Sequence, residues 1–231
     1  MSKSKNFNKN NSNLPDRRIL ILILLILGFL FRQNIYRSSI VYRIGQERIS
    51  DTLLDAQFER YILTHPDVYD RQFNSIDKII HVSLKVTSDA LTFNGEPTLK
   101  TDPLSILKQG ETNSEGFAAF YKTVCTYLIK RYHFSKTYSC SQFIAERTRN
   151  GVNLQDAIKT PAGGSLFNRN RDVIAITNLQ TGERRFVDPV IFEQYNIVDI
   201  NVSNAQHITT KRATNWDSLR AKSKLFGRSQ R

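Results

Sequence analysis

Thr112 to Ile129 reads TNSEGFAAFYKTVCTYLI, and the fold turns on this stretch and on the residues just after it. Phe117, Ala118, Tyr121, Val124, Cys125, Leu128 and Ile129 recur at i, i+3, i+4 and i+7, the spacing of an apolar stripe on an α-helix. Thr112, Asn113 and Ser114 precede the stripe. Each carries a side-chain oxygen that can accept a bond from the unsatisfied N–H groups of a first helical turn. After Tyr132 the period changes from 3.6 to 2. Tyr138, Cys140, Gln142 and Ile144 alternate with Ser139, Ser141, Phe143 and Ala145, which predicts a strand.

Downstream, a Gly/Pro/Asn-rich loop covers Thr160 to Asn170, and Val173 to Ile176 mark a strand over Asp172 to Asn178. Thr181-Gly182 supplies a hairpin turn into Glu183 to Val187, and a further strand is expected around Tyr195 to Val202. Gly163-Gly164 lacks the strand and helix context of a phosphate-binding motif and reads as loop. Upstream, helical spacing runs from Gly45 to Leu63 and again from Phe73 to Leu91, where Asn94-Gly95-Glu96-Pro97 closes the pattern. Asp102-Pro103 opens a helix of one or two turns ending near Lys108. Helices first and an antiparallel sheet afterwards predict an α+β domain over residues 45–205, with the helix at Ser114 packed on the strands.

Ile19 to Phe31, ILILILLILGFLF, holds thirteen apolar residues and no charge. As a helix it rises roughly 20 Å, short of the ~30 Å hydrocarbon core, so a span draws in the residues up to Tyr36. No small-x-small cleavage site comes after it. An uncleaved signal anchor over residues 19–36 is therefore expected in preference to a cleaved signal peptide. Basic residues flank both ends, and the positive-inside rule points weakly to a cytoplasmic N-terminus and an extracytoplasmic domain.

The net charge of +12 belongs mainly to the ends. Residues 1–18 carry five basic groups against Asp16, and residues 209–231 carry seven against Asp217, leaving the middle nearly neutral. Aromatics that could interleave with bases are sparse in the C-terminal tail, so nucleic acid is not the expected partner. Contact of that tail with anionic lipid is the simpler use of its charge. Cys125 and Cys140 fit no metal-ligand spacing. A buried free thiol is the commoner state inside apolar-periodic runs, and a disulfide between the two stays open. No cofactor and no metal are expected.

Ser114-Glu115-Gly116-Phe117-Ala118 and Arg185-Phe186-Val187-Asp188-Pro189 resemble two elements of the transglutaminase-like, papain-related superfamily. There a nucleophilic cysteine opens a buried helix in the run cysteine, any residue, glycine, aromatic, alanine. Two paired strands then carry a histidine and, some fifteen residues later, an aspartate followed by proline. The resemblance covers about Asp102 to Ile197 and implies that Ser114 occupies the nucleophile position and Asp188 the aspartate position. Counting back from Asp188, the histidine position falls on Arg171, Asp172 or Val173, and the four histidines lie elsewhere.

These departures have chemical weight. A helix N-terminus and a nearby imidazole stabilise a thiolate, whereas a serine hydroxyl needs a general base within hydrogen-bond reach. His133 ends the same helix, about 28 Å away by helical rise, and an ionised Asp172 is a weak base for a hydroxyl. Ser114, Asp172 and Asp188 are thus vestigial catalytic candidates. The plainer reading makes Ser114 a helix cap and Asp188 a strand-end residue that bonds neighbouring N–H groups. The expected function is a membrane-anchored, non-catalytic transglutaminase-like domain that binds a protein or a cell-envelope component. A serine-dependent hydrolase or acyltransferase using Ser114 is the alternative, and binding of anionic surfaces or nucleic acid through the basic tails is a third.

Overall fold

The computed structural model describes residues 17–48, 55–69, 71–94, 102–149, 152–153 and 171–203. Most of residues 1–18, the loop at Thr160 to Asn170, the turn at Gly95 to Pro97, His207 and the 209–231 tail lie outside the described residues. The elements run α1 (Arg17–Leu30), α2 (Arg32–Ser39), β1 (Ile40–Arg48), α3 (Ala56–Thr64), α4 (Ile76–Ala90), β2 (Thr92–Phe93), α5 (Pro103–Gln109), β3 (Glu111–Thr112), α6 (Ser114–Arg131), β4 (Tyr138–Arg149), β5 (Val152–Asn153), β6 (Arg171–Asn178), β7 (Arg184–Val187) and α7 (Pro189–Tyr195).

Helices and an antiparallel sheet make an α+β fold. The sheet order is β1-β4-β6-β7, with β5 folded back on β4, and every pairing in it is antiparallel. A second, parallel pair joins β2 to β3. The sheet divides the apolar interior because successive strand residues point to opposite faces. Ile174, Ile176 and Val187 face a core built on α6, α4, α3 and α5. Tyr42, Phe143, Ala145, Val173, Ala175 and Ile200 form a smaller core behind the sheet.

α6 is the organising element. Its apolar stripe is supplemented by Gly116, Ala119, Phe120, Thr123 and Tyr127, so that twelve of its eighteen residues are buried. Asn113 caps it, its Oδ1 accepting from Gly116 N at 3.0 Å. A Cβ at position 116 would run into Thr112 Oγ1 and lie 3.1 Å from Ile106 Cδ1. Glycine there lets the first turn of α6 close on α5. α5 in turn has Asp102 as its cap and ends at Gly110, whose φ of 74° suits a left-handed terminus.

The region from Gly45 to Leu63 departs from the helical expectation. Ile40, Tyr42 and Ile44 alternate as strand residues, and β1 pairs with β4 from Ile40↔Arg149 to Arg48↔Gln142 across a bulge between Ile44 and Glu47. Helix begins only at Ala56, after the Asp55 cap, and Ile49, Leu53 and Leu54 lie outside the described residues. The sheet therefore opens before α3 and the helices that follow it, and not after them. At the other end, Pro189 to Tyr195 is helix, and the strand expected around Tyr195 to Val202 reduces to one parallel bridge, Tyr42↔Val202. Asp188 followed by proline at the first helical position is a helix-start signal that the apolar run Val190-Ile191-Phe192 obscured.

The N-terminal segment also breaks. α1 exposes Ile19 through Leu27, Phe29 and Leu30, whereas α2 is polar and docks on the domain. Tyr36 stacks on Tyr195 at 5.4 Å, and Gln33 Nε2 donates to Tyr195 O at 2.9 Å. Among the described residues no single helix is long and apolar enough to cross a membrane. The two helices taken together pass that test with a 69° bend.

Candidate functional site

Ser114 is the first residue of α6 and not its cap, since Asn113 fills that role. Its hydroxyl meets the start of β6, where Ser114 Oγ accepts from the backbone N–H of Asp172 at 2.9 Å. The antiparallel register makes this contact possible. β6 lies between β4 and β7, and Ile144↔Asp172 sets the start of β6 against the middle of β4, on the face that carries α6.

The Asp172 side chain is 2% exposed. Its Oδ2 accepts from Arg48 Nε at 2.5 Å and from Gln142 Nε2 at 2.7 Å, and its Oδ1 accepts from Arg48 Nη2 at 3.3 Å. Arg48 also reaches Glu115 Oε1 at 3.3 Å, and Gln142 Nε2 reaches Glu115 O at 3.3 Å. Burial raises the Asp172 carboxyl above the ordinary carboxylate range, against the opposing pull of Arg48 and Gln142. Glu115 sits in the first turn of α6, where the helix dipole favours an anion.

The polarity of the contact between Ser114 and Asp172 decides what it can do. A nucleophilic hydroxyl requires a proton acceptor at its oxygen, whereas here the group 2.9 Å from Oγ is an N–H donor. The carboxylate that could act as a base is turned to Arg48 and Gln142. The described histidines are engaged elsewhere. His65 Nδ1 accepts from Asp67 N at 3.2 Å, His81 lies edge-on to Phe192, and His133 follows the far end of α6 with φ 65°.

Asp188, the other candidate carboxylate, belongs to the opposite face. It is fully buried and caps α7, with Oδ1 accepting from Val190 N at 3.0 Å and Ile191 N at 3.2 Å. Its Oδ2 accepts from Tyr42 OH at 2.9 Å. Tyr42 OH is in turn 2.8 Å from Tyr36 OH. Burial, reinforced by the Asp188 charge, holds the Tyr42 phenol well above its ordinary range. Arg147 and Arg171 are nearly buried in the same region. Burial lowers the Arg171 guanidinium from its usual value, and this group lies 4.7 Å over the Phe93 ring. Ser114 and Asp172 thus come together, while Asp188 makes its bonds behind the sheet.

Arg48, Glu115 and Gln142, which complete the site, were not singled out by sequence. Arg48 reads as one of several cations after the apolar segment. Gln142 did carry a signal, because it shares the strand phase of Tyr138 and Cys140, so an amide falls where the alternation calls for an apolar side chain.

One group has the composition of a metal site. His65, Asp67 and Asp89 offer ligand atoms within 4.8 Å of one another. Lys85 Nζ lies 3.4 Å from Asp67 and 3.5 Å from Asp89, and Arg71 Nη2 lies 2.9 Å from Asp67. The cationic side chains already supply the counter-charge. No family model matches the chain, and no curated protein or solved structure matches it either.

Proposed function

We propose that the chain is a membrane-anchored, non-catalytic domain of transglutaminase-like type that recognises a protein or a cell-envelope component at the junction of α6 and β6. The observation that carries the reading is the backbone N–H of Asp172 donating to Ser114 Oγ. It sets a donor where catalysis needs an acceptor, and it joins the position that the resemblance assigns to the nucleophile to one of the three positions on which its histidine could fall. What remains for a ligand is recognition chemistry. The Ser114 O–H is itself a donor, Glu115 is a half-exposed carboxylate, and Gln142 Oε1 is a buried acceptor with no hydrogen-bond partner. A buried amide oxygen of this kind favours a ligand or water that brings a donor. Membrane attachment rests on α1, whose apolar side chains are exposed from Ile19 to Leu27 and find a partner in lipid.

The test is covalent. Electrophilic serine probes should leave the full chain unlabelled in solubilised membranes, and crosslinking from a photoreactive residue at position 115 should capture one dominant species. Labelling at Ser114, abolished by Ser114→Ala in a chain that still folds, would establish the serine-dependent hydrolase or acyltransferase instead. Recovery of the chain from the soluble fraction would remove the anchor.

A further inference from the structure

Cys125 and Cys140 are the two cysteines of the chain, and the fold brings them together from different elements. Cys125 is fully buried midway along α6. Cys140, half-buried, is the third residue of β4, where pairing with Ile176 of β6 holds it in the middle of the sheet. Both sulfurs belong to the core between helix and sheet. The Cys140 thiol donates to Cys125 Sγ at 3.2 Å. A disulfide bond measures about 2.05 Å, so a movement of roughly 1 Å separates this contact from a covalent link. Sequence spacing could not decide the matter. The antiparallel pairing of β4 with β6, under α6, is what aligns the two side chains.

We propose that Cys125 and Cys140 are a site of covalent modification, an intrachain disulfide between α6 and β4 formed by exchange with a small-molecule disulfide or the disulfide form of a thiol oxidoreductase. Burial orders the steps. Cys140 is the half-buried residue of the pair and Cys125 the fully buried one. As a thiolate Cys140 attacks one sulfur of the incoming disulfide, whose S–S bond breaks, giving a mixed disulfide on Cys140 and one released thiolate. Cys125 then attacks Cys140 Sγ as a thiolate, forms the Cys125–Cys140 bond and expels the second thiolate. Two cysteine thiols lose two protons and two electrons, and the incoming disulfide gains both as two thiols. In the starting dithiol Cys140 holds the proton: its hydrogen bond draws the Cys125 thiol below its ordinary range and, together with burial, holds the Cys140 thiol well above its own, so the first step requires Cys140 to give up that proton to a base in solution. The link would close a loop around Tyr132 and His133 and pin the central helix to the sheet.

The experiment uses the full chain in detergent, equilibrated in glutathione buffers from the reduced and the oxidised side, quenched with acid and alkylated. In oxidising buffer most chains should be two hydrogens lighter, take up no alkylating reagent, and yield the peptides Thr123–Lys130 and Thr137–Arg147 joined after cleavage at Lys and Arg. Cys125→Ser should accumulate glutathione on Cys140, whereas Cys140→Ser should resist it, because Cys125 is buried. The oxidised chain should melt higher than the reduced one by about 5 °C or more. Two alkylatable thiols per chain in oxidising buffer from both directions, or a disulfide only between chains, would overturn the proposal. The wild-type result decides this even if a variant fails to fold.

Discussion

Asp172 and Asp188 are both buried carboxylates, and the antiparallel pairing of β6 with β7 puts them at the same end of the sheet. They nevertheless belong to opposite faces. Asp172 faces α6 and takes side-chain donors from two strands, Arg48 of β1 and Gln142 of β4. Asp188 faces the rear core and takes two backbone donors from α7 together with one phenol. The difference lies in where the compensation comes from. Asp188 takes two of its three donors from the helix start that it caps, while Asp172 depends on long-range pairing and on a cation that is itself one-third exposed. Burial alone therefore does not mark a functional carboxylate. Of the two, Asp172 is the one whose charged partner, Arg48, is open to solvent.

The sharpest way to break this contrast is Asp188→Ala. It removes the cap of α7 and the buried acceptor of the Tyr42 hydroxyl, which keeps only Tyr36, so unfolding by urea should show a loss of about 3 kcal/mol. A loss under about 1 kcal/mol would mean that the α7 cap is replaced by water. Asp172→Asn should cost less, about 1 to 2 kcal/mol, because Arg48 keeps Glu115 and access to solvent.

The pH dependence of that second variant carries a sign. Folding raises the Asp172 carboxyl above its unfolded value, chiefly through burial, so the folded state binds the proton more tightly. The cost of holding the charge is full above the folded pKa and disappears as pH falls toward the ordinary carboxylate range. The stability gap between the native chain and Asp172→Asn should therefore widen from about pH 7 to about pH 4. A gap that narrows on acidification would show that the Arg48 ion pair outweighs burial.

Tyr36→Phe should have the smallest effect. It keeps the stack on Tyr195 and removes the hydroxyl 2.8 Å from Tyr42, for a loss of about 1 kcal/mol or less in the same denaturation. A loss equal to that of Asp188→Ala would show that the two phenols and the carboxylate act as one unit.

The chain's own pattern determined the elements with strong local signals. α6, α4 and α5 follow from apolar period and caps, and β4, β6 and the turn at Gly182 follow from alternation and a residue that tolerates φ of 74°. These signals operate over a few residues and survive without knowledge of the fold. The apolar character of α1 is equally legible, because uncharged apolar residues run together from Ile19 to Phe31. Only Gly45 to Arg48 of β1 fall inside the helical spacing drawn over Gly45 to Leu63, and most of α7 carries no assignment before the strand expected from Tyr195, since Ile40-Val41-Tyr42 and Val190-Ile191-Phe192 are short apolar runs whose period depends on their neighbours. Tertiary structure alone decided the site. Arg48 and Asp172 are separated by 124 positions, Ser114 and Asp172 by 58, and Cys125 and Cys140 by 15. Their proximity comes from strand register and from α6 lying across the sheet. A hydrogen bond can be read from sequence only when the backbone between its partners is local, and none of these three pairs satisfies that condition.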